Sequence, residues 1–186
     1  MKKLNSGSQY NLYLAQGLKG LNLKEYENAI SFFSKASQKS PSSRDPFLLR
    51  AISIVRFALH KPIKAQTRIT LLKDAKRDFN KAIQNNPSKT PDPQVLYLRS
   101  LVNFALNYFF DAITDVENAI ETCDEPNALH YLARGRCYAC LSMFREAITD
   151  LSIAINLNKD LLDVRETMTN FILGLFEQRQ VCILGR

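Results

Sequence analysis

Residues 131–154, YLARGRCYACLSMFREAITDLSIA, contain two short phrases that recur four times along this chain. In the first phrase a small residue follows a large apolar one by four positions, and the small residues are Gly17, Ala51, Ser100 and Gly135. In the second phrase two alanines flank a large apolar residue, as in Ala29/Phe33/Ala36, Ala75/Phe79/Ala82, Ala112/Val116/Ala119 and Ala147/Leu151/Ala154. Helices that cross closely need small residues where their backbones meet and large residues beside them. The repeat therefore predicts four stacked helical hairpins, a solenoid.

The second copy of this repeat carries an insertion. The two phrases are 12 residues apart in copies one, three and four but 24 apart in copy two, where the extra residues lie between Leu59 and Leu72. Pro62 is suited to the first turn of a helix, and residues 63–84 contain no further proline and no glycine. The sequence therefore predicts a first helix of normal length ending near His60. It also predicts one overlong second helix that overhangs its neighbours by about 18 Å.

These phrases resemble the tetratricopeptide repeat (TPR), a helix-turn-helix unit of about 34 residues. The resemblance covers roughly residues 9–159, and Pro41 and Pro87 close repeats one and two where that family places its proline. It implies an all-α fold, a right-handed α-solenoid of four TPR-like repeats. We expect the repeats at about 10–43, 44–90, 93–126 and 128–160, followed by a C-terminal capping or docking helix within 161–186.

The resemblance also implies a concave groove lined by the first helix of each repeat. Eleven of its twelve lining positions are apolar, and an amphipathic helix or an extended apolar peptide would fill them. The alternative is that these side chains simply pack on one another. The lining positions are Leu14, Leu18, Leu21, Leu48, Ile52, Val55, Tyr97, Leu101, Phe104, Leu132, Arg136 and Ala139.

One known role of the family is not supported by the residues. Its co-chaperone members hold a peptide's terminal carboxylate with Lys, Asn and Arg side chains inside the groove. Here Leu14, Leu18 and Leu49 occupy positions that would carry the Lys and Asn residues. The sequence therefore predicts no binding of chaperone tails by that mechanism.

The charge is unevenly distributed along the chain. Residues 1–93 carry 17 Lys/Arg against 6 Asp/Glu, whereas residues 94–186 carry 8 against 12. The insertion contributes three of the six residues of a basic patch, which we expect to meet an acidic protein surface, or a polyanion such as nucleic acid or acidic lipid, or only solvent. The patch consists of Lys61, Lys64, Arg68, Lys73, Arg77 and Lys81.

The C-terminal stretch 161–186 has a broad apolar face. A terminal capping helix should be polar on its outer side, so this stretch should be buried on two sides. It would fold into the chain's own groove, join a second copy, or dock on another protein. The residues predicted for this docking are Met168, Phe171, Ile172, Leu175 and Phe176.

Catalytic and metal-binding signals are weak. Cys137 and Cys140 have a spacing found in zinc sites, but they lie within a predicted helix without a second pair. No nucleophile–base pair and no glycine-rich phosphate loop emerges, and both histidines, His60 and His130, lie near helix ends. The sequence therefore predicts no enzyme, no metal and no cofactor.

Three aspartates recur directly before the large packing residue of the second helix. Asp78, Asp115 and Asp150 share this position, and their recurrence predicts a structural role. We expect them to form ion pairs across repeats with the recurring arginines of the first helices, which are Arg50, Arg99 and Arg134.

The sequence as a whole predicts a protein that holds other proteins together. The favoured function is a scaffold or assembly subunit that binds a partner through the apolar groove and the basic overhang. The alternatives are a cytoskeletal or ciliary component associated with microtubules, and a weak nucleic-acid binder. Without an apolar run of 18 residues or a signal core, we expect a cytoplasmic protein with no membrane span.

Overall fold

The described residues form eight α-helices. The computed structural model describes residues 6–125 and 127–159 of the 186. The helices are α1 (Ser6–Asn22), α2 (Tyr26–Lys39), α3 (Asp45–His60), α4 (Ala65–Gln84), α5 (Pro93–Ala105), α6 (Phe109–Thr122), α7 (Ala128–Cys140) and α8 (Phe144–Leu157). We refer to α1–α2, α3–α4, α5–α6 and α7–α8 as hairpins 1 to 4. None of the described helices is long and apolar enough to cross a membrane.

The chain divides into two compact units, residues 1–95 and residues 96–186. In unit 1, α1 packs on α2, α2 on α3 and α3 on α4. In unit 2, α6 packs on α7 and α7 on α8. These contacts between consecutive helices are the packing expected of stacked repeats.

The two sequence phrases meet inside the hairpins. The small residues Gly17, Ala51, Ser100 and Gly135 and the large residues Phe33, Phe79, Val116 and Leu151 are all buried. A side chain on Gly17 would place its Cβ 2.7 Å from Cδ1 of Phe33, and on Gly135 it would lie 3.1 Å from Cγ of Leu151. Each of these glycines thus faces the large residue of the partner helix rather than its first alanine. In hairpin 1 that alanine, Ala29, lies against Gly20 instead.

Hairpins 1, 3 and 4 share one turn. The middle residue of each turn, Lys24, Asn107 or Ser142, has a positive φ close to 60°. In hairpin 1 the Lys24 N–H donates to the Leu21 carbonyl and the Glu25 N–H to the Gly20 carbonyl, and the same bonds recur in the other two hairpins. This is a Schellman motif, which satisfies the last carbonyls of the first helix. It fixes where each second helix begins.

Hairpin 2 departs from this plan, and the predicted overhang is wrong in detail. Helix α3 ends nine residues after Ala51, whereas α1, α5 and α7 end five residues after their small residue. Helix α4 begins ten residues before Ala75, against three residues in the other hairpins. The insertion therefore lengthens both helices, by about one turn and two turns, and adds one residue to the turn. Pro62 explains why α3 ends at His60, since it forces the preceding Lys61 into an extended conformation.

The recurring aspartates and arginines pair within hairpins, which corrects the prediction of pairing across repeats. Arg50 donates to both carboxylate oxygens of Asp78 at 2.6 Å, and Arg99–Asp115 and Arg134–Asp150 form equivalent two-point bridges. The reason is geometric, because a residue before the small contact and one before the large contact face each other across the same hairpin. Contacts to the preceding hairpin are weaker: Arg50 reaches Ser34 Oγ at 3.2 Å, and Arg134 lies 4.0 Å from Glu117.

Candidate partner-binding surfaces

An apolar cleft lies between α5 and α7 in unit 2. Five of the six positions predicted for the groove of repeats 3 and 4 line it, namely Tyr97, Leu101, Phe104, Leu132 and Arg136. Its volume is about 60 Å³, and Ser100, Leu129, Ala133 and Cys137 complete its walls. Helical spacing explains the arrangement, because residues four and then three positions apart on α5 fall on one face. We call this feature the α5–α7 cleft.

The mouth of the α5–α7 cleft exposes leucine side chains. Leu101 on α5 is 41% exposed and Leu129 at the start of α7 is 45% exposed. Deeper in the cleft, Tyr97, Phe104 and Leu132 are half-buried. A segment that covered these surfaces would gain free energy from removing apolar area from water.

A cation lies beside this apolar surface. The Arg136 guanidinium sits 5.2 Å from the centre of the Phe104 ring, within the range of a cation–π contact. Phe104 in turn packs edge-on against Phe109 at 5.6 Å, so its ring is held in place. The cleft therefore combines an apolar floor with one positive charge.

Burial shifts the pKa values of two titratable groups, Tyr97 in the cleft and His130 next to it. Burial raises the pKa of Tyr97, and the charge of Arg136 opposes that rise. The Tyr97 ring meets the His130 ring edge-on at 5.3 Å. Burial lowers the pKa of His130, whose Nδ1 accepts a hydrogen bond of 3.2 Å from the Asn127 backbone N–H. His130 thus serves as part of the N-terminal cap of α7 together with Asn127.

The apolar groove positions of unit 1 span the same range of exposure as those of unit 2. Leu18 on α1 is 41% exposed, whereas Leu48, Ile52 and Val55 on α3 are half-buried. Leu14 packs against the core cluster formed by Leu21, Tyr26, Ala29 and Phe33. The groove is therefore smaller than predicted: Leu21 and Ala139, two of its twelve expected lining positions, are buried because they lie one turn further along and pack in the core.

The six residues of the basic patch are all exposed, but they do not form one overhang. Arg68 donates to the Ala58 carbonyl at 3.0 Å and so closes the end of α3. Arg77 pairs with Asp74 on its own helix. Lys61 and Lys64 lie in the hairpin turn, while Lys73, Arg77 and Lys81 lie further along α4.

Arg77 and Lys81 line a second cavity of unit 1, of about 370 Å³. Its walls also hold the Arg50–Asp78 pair and Asp74. Within this cavity two carboxylates offset most of the positive charge, and we call it the α4 cavity.

Cys137 and Cys140 differ in exposure. Cys137 is buried and burial raises its pKa to about 12, whereas Cys140 is exposed on the same helix. Within residues 6–125 and 127–159, no three His, Cys, Asp or Glu side chains come together in a way that could hold a metal ion. The residues predicted for C-terminal docking, from Met168 to Phe176, lie outside the described residues.

A third cavity is not predicted by the sequence. It measures about 290 Å³ and is lined by Lys24 and Tyr26 of hairpin 1 and by His60 and Lys61 of hairpin 2. It exists because α3 is one turn longer than the other first helices, and the insertion alone does not show which helix it lengthens. We call it the tip cavity.

The described helices have the fold of TPR proteins. The crystal structure of MamA matches with a TM-score of 0.76 at 17% identity, covering 95% of this chain and 87% of that one. TTC0263, a TPR protein of Thermus thermophilus, matches with a TM-score of 0.63 at 16% identity, covering 91% and 82%. YrrB, a TPR protein described as having an unusual peptide-binding site, matches with a TM-score of 0.68 at 18% identity, covering 86% and 74%.

These likenesses define a class of fold. The predicted class, an all-α solenoid of TPR-like repeats, is confirmed by the eight described helices and by these neighbours. No protein-family model matches the chain, and no curated protein matches it in sequence.

Proposed function

We propose that this protein is a non-catalytic interaction scaffold that binds an apolar segment of a partner protein in the α5–α7 cleft. The observation that carries the proposal is the convergence of five groove side chains from two helices on one cleft with exposed leucines at its mouth. The peptide-binding site attributed to YrrB supports such a role for this fold.

The chemistry of the cleft limits its guest. Leu101, Leu129 and Leu132 favour aliphatic or aromatic side chains, which an amphipathic helix or an extended peptide would present. Arg136 favours a carboxylate placed next to them, because a guanidinium binds carboxylates with two parallel hydrogen bonds. The expected motif is an apolar residue followed closely by Asp or Glu.

The test begins with peptides selected on the full-length protein from a random display library. The selected peptides should share apolar residues with a nearby acid, and fluorescence polarisation would measure their affinity. Leu101→Ser combined with Leu132→Ser should weaken binding by roughly tenfold or more, because two buried apolar contacts are lost. Arg136→Ala should weaken only the peptides that carry the acid.

A matched control lies in the same unit. Leu157 on α8 is 54% exposed and does not line the cleft, so Leu157→Ser should leave the affinity unchanged. Circular dichroism would verify that the variants keep their helices. Equal weakening by Leu157→Ser, or selected peptides that ignore the cleft variants, would refute the proposal.

The basic patch has a secondary part in this proposal. Acidic groups of a partner would meet Lys73 and Lys81 beside the α4 cavity, with a strong dependence on ionic strength. Reversing Lys73, Arg77 and Lys81 to Glu should therefore reduce the salt dependence of partner association while leaving peptide affinity at the cleft nearly unchanged. The cytoskeletal and nucleic-acid alternatives, self-association through the C-terminal helix and a cytoplasmic location stay predictions from the sequence.

A further inference from the structure

The tip cavity is lined entirely by side chains that can donate hydrogen bonds. Lys24 and Lys61 bring two ammonium groups, Tyr26 a hydroxyl and His60 an imidazole, and no carboxylate of the described residues lines the cavity. The neighbouring Glu25 accepts a hydrogen bond of 3.1 Å from Asn28 Nδ2 and so is held on α2. Such a lining suits an anion.

The framework of this cavity is fixed. The Tyr26 and His60 rings stack at 5.9 Å with an angle of 16° between their planes. Lys24 occupies the centre of the Schellman turn, and the Lys61 N–H donates to the Phe57 carbonyl at 3.0 Å. Both lysines therefore project from backbone positions that are already ordered, which lowers the entropy lost on binding.

Helix dipoles also favour an anion here. Tyr26 is the first residue of the 14-residue helix α2, so the positive end of that helix lies at the cavity. The negative end of α3 is also close, but the Phe57 and Ala58 carbonyls are already bonded by Lys61 and Arg68.

Two exposed leucines are sequence neighbours of residues that line the cavity. Leu23, next to Lys24, is 57% exposed, and Leu59, next to His60, is 68% exposed. Lys64 in the same turn adds a further exposed charge. Apolar side chains beside lysines are the combination that binds the interface of an anionic membrane, where leucines enter the headgroup layer and lysines meet phosphates.

We propose that the tips of hairpins 1 and 2 bind the surface of an anionic membrane, with a phospholipid phosphate in the tip cavity and Leu23 and Leu59 in the headgroup layer. The extended hairpin of repeat 2 thus supplies half of a lipid site. This site is separate from the α5–α7 cleft, and a protein that failed to bind peptides would still show it.

Vesicle sedimentation of the full chain tests the proposal. The protein should bind phosphatidylcholine vesicles that contain phosphatidic acid and not those of phosphatidylcholine alone. Lys24→Ala combined with Lys61→Ala should lower binding by roughly tenfold or more, since each lysine near the surface contributes to the attraction. Leu23→Ser combined with Leu59→Ser should lower it by roughly tenfold.

The chain offers a control for net charge alone. Lys39 and Lys89 are exposed lysines of unit 1 outside the cavity, so Lys39→Ala with Lys89→Ala removes the same charge. This control should bind vesicles nearly as well as the unsubstituted protein. Tyr26→Phe, which keeps the ring on His60 and removes the hydroxyl, gives a second probe that preserves the packing and should also weaken binding.

NMR of the histidine side chains distinguishes a phosphate of the membrane from a phosphate of a soluble compound. The chain has two histidines, so titration with inorganic phosphate should shift His60 and leave His130 as an internal reference. A change in the His60 chemical shift without vesicle binding would refute the membrane as the ligand and favour a soluble phosphate compound. If the Lys39/Lys89 control lost vesicle binding equally, the result would refute a specific role of the tip cavity and favour diffuse electrostatic attraction. If neither vesicle binding nor a His60 chemical-shift change occurred, the whole proposal would be refuted.

Discussion

Hairpin 2 and hairpin 4 contain the same two phrases but use them differently. In hairpin 4, α7 ends five residues after Gly135 and a three-residue turn leads directly into α8. In hairpin 2, α3 continues four residues further, and proline chemistry rather than a positive φ ends it. The small and large residues of the two phrases are buried in both hairpins, so the packing phrases place the helix contact while the turn determines how far the hairpin extends.

The buried packing positions that hairpin 2 shares with the other hairpins should be the most sensitive to mutation. Phe79 in hairpin 2 is 1% exposed, and Ala51 of the first phrase is fully buried. We expect Phe79→Ala to lower the free energy of unfolding by about 4 kcal/mol, as is typical for a buried aromatic side chain. Val116→Ala, at the same position of hairpin 3, should cost less because it removes less volume. Urea denaturation would measure both, and equal losses would contradict a shared packing role.

Loss of the Arg–Asp ion pairs inside the hairpins should have the next largest effect on the free energy of unfolding. Asp115 is 3% exposed and accepts hydrogen bonds from Arg99 and from Asn103 Nδ2, so Asp115→Ala removes an ion pair and also takes this acceptor from the buried Asn103 amide. We expect a loss of about 3 kcal/mol, and about 2 kcal/mol for Asp78→Ala, where Arg50 keeps its serine contacts. Hairpin 1, with Gln16 and Phe32 at these positions, is the natural control without a pair. Losses under about 1 kcal/mol would show that the pairs are dispensable.

Removing the extension turns hairpin 2 into a copy of its neighbours. Replacing residues 57–71 by the turn sequence of residues 106–108 restores the common 12-residue spacing. The protein should still fold, with a loss of about 2 kcal/mol because Phe57 no longer packs against the core of hairpin 1. Vesicle binding should disappear, while peptide binding at the α5–α7 cleft should be retained. A chimera that folds and still binds vesicles would contradict the role given to the tip cavity.

The turns themselves should respond to glycine with opposite signs. Ser142 has φ 60°, a conformation that glycine adopts without strain, so Ser142→Gly should stabilise the protein by about 0.5–1 kcal/mol. Lys61 in hairpin 2 has φ −102°, and Lys61→Gly should destabilise it by a similar amount through the greater freedom of the unfolded chain. Thermal unfolding would measure both. A stabilising effect of glycine at Lys61 would refute the distinction between the two turn types.

The smallest expected effect is a loss of stability at acidic pH. Burial lowers the pKa of His130 in the folded protein, so below the ordinary histidine pKa near 6.5 the unfolded chain binds more protons than the folded one. The free energy of unfolding should therefore fall as the pH drops through and below that value. His130→Gln should flatten this dependence between about pH 7.5 and about pH 5.5, as measured by urea denaturation. An unchanged pH profile in the variant would mean that other groups cause the loss.

Much of this architecture can be predicted from single residues. The spacing of Gly17 from Ala29 and of Gly135 from Ala147 predicts hairpins because only a small residue permits the close crossing that the structure shows. The positions of Tyr97, Leu101 and Phe104 predict a common face because α-helical periodicity is local. The recurrence pattern alone favours pairing of the aspartates with arginines of neighbouring repeats. It does not show that each arginine meets the aspartate of its own hairpin.

The number of hairpins and their helical type follow from the sequence alone, because these depend on periodicity and on residue size within about 20 positions. Two features depend on packing in three dimensions: the insertion is shared between α3 and α4, and His60 and Lys61 lie beside Lys24 and Tyr26. The physical reason is that a turn can be placed at several points in an inserted segment at similar local cost. Packing against the neighbouring hairpin, here of Phe57 and of Tyr26 on His60, selects one of them.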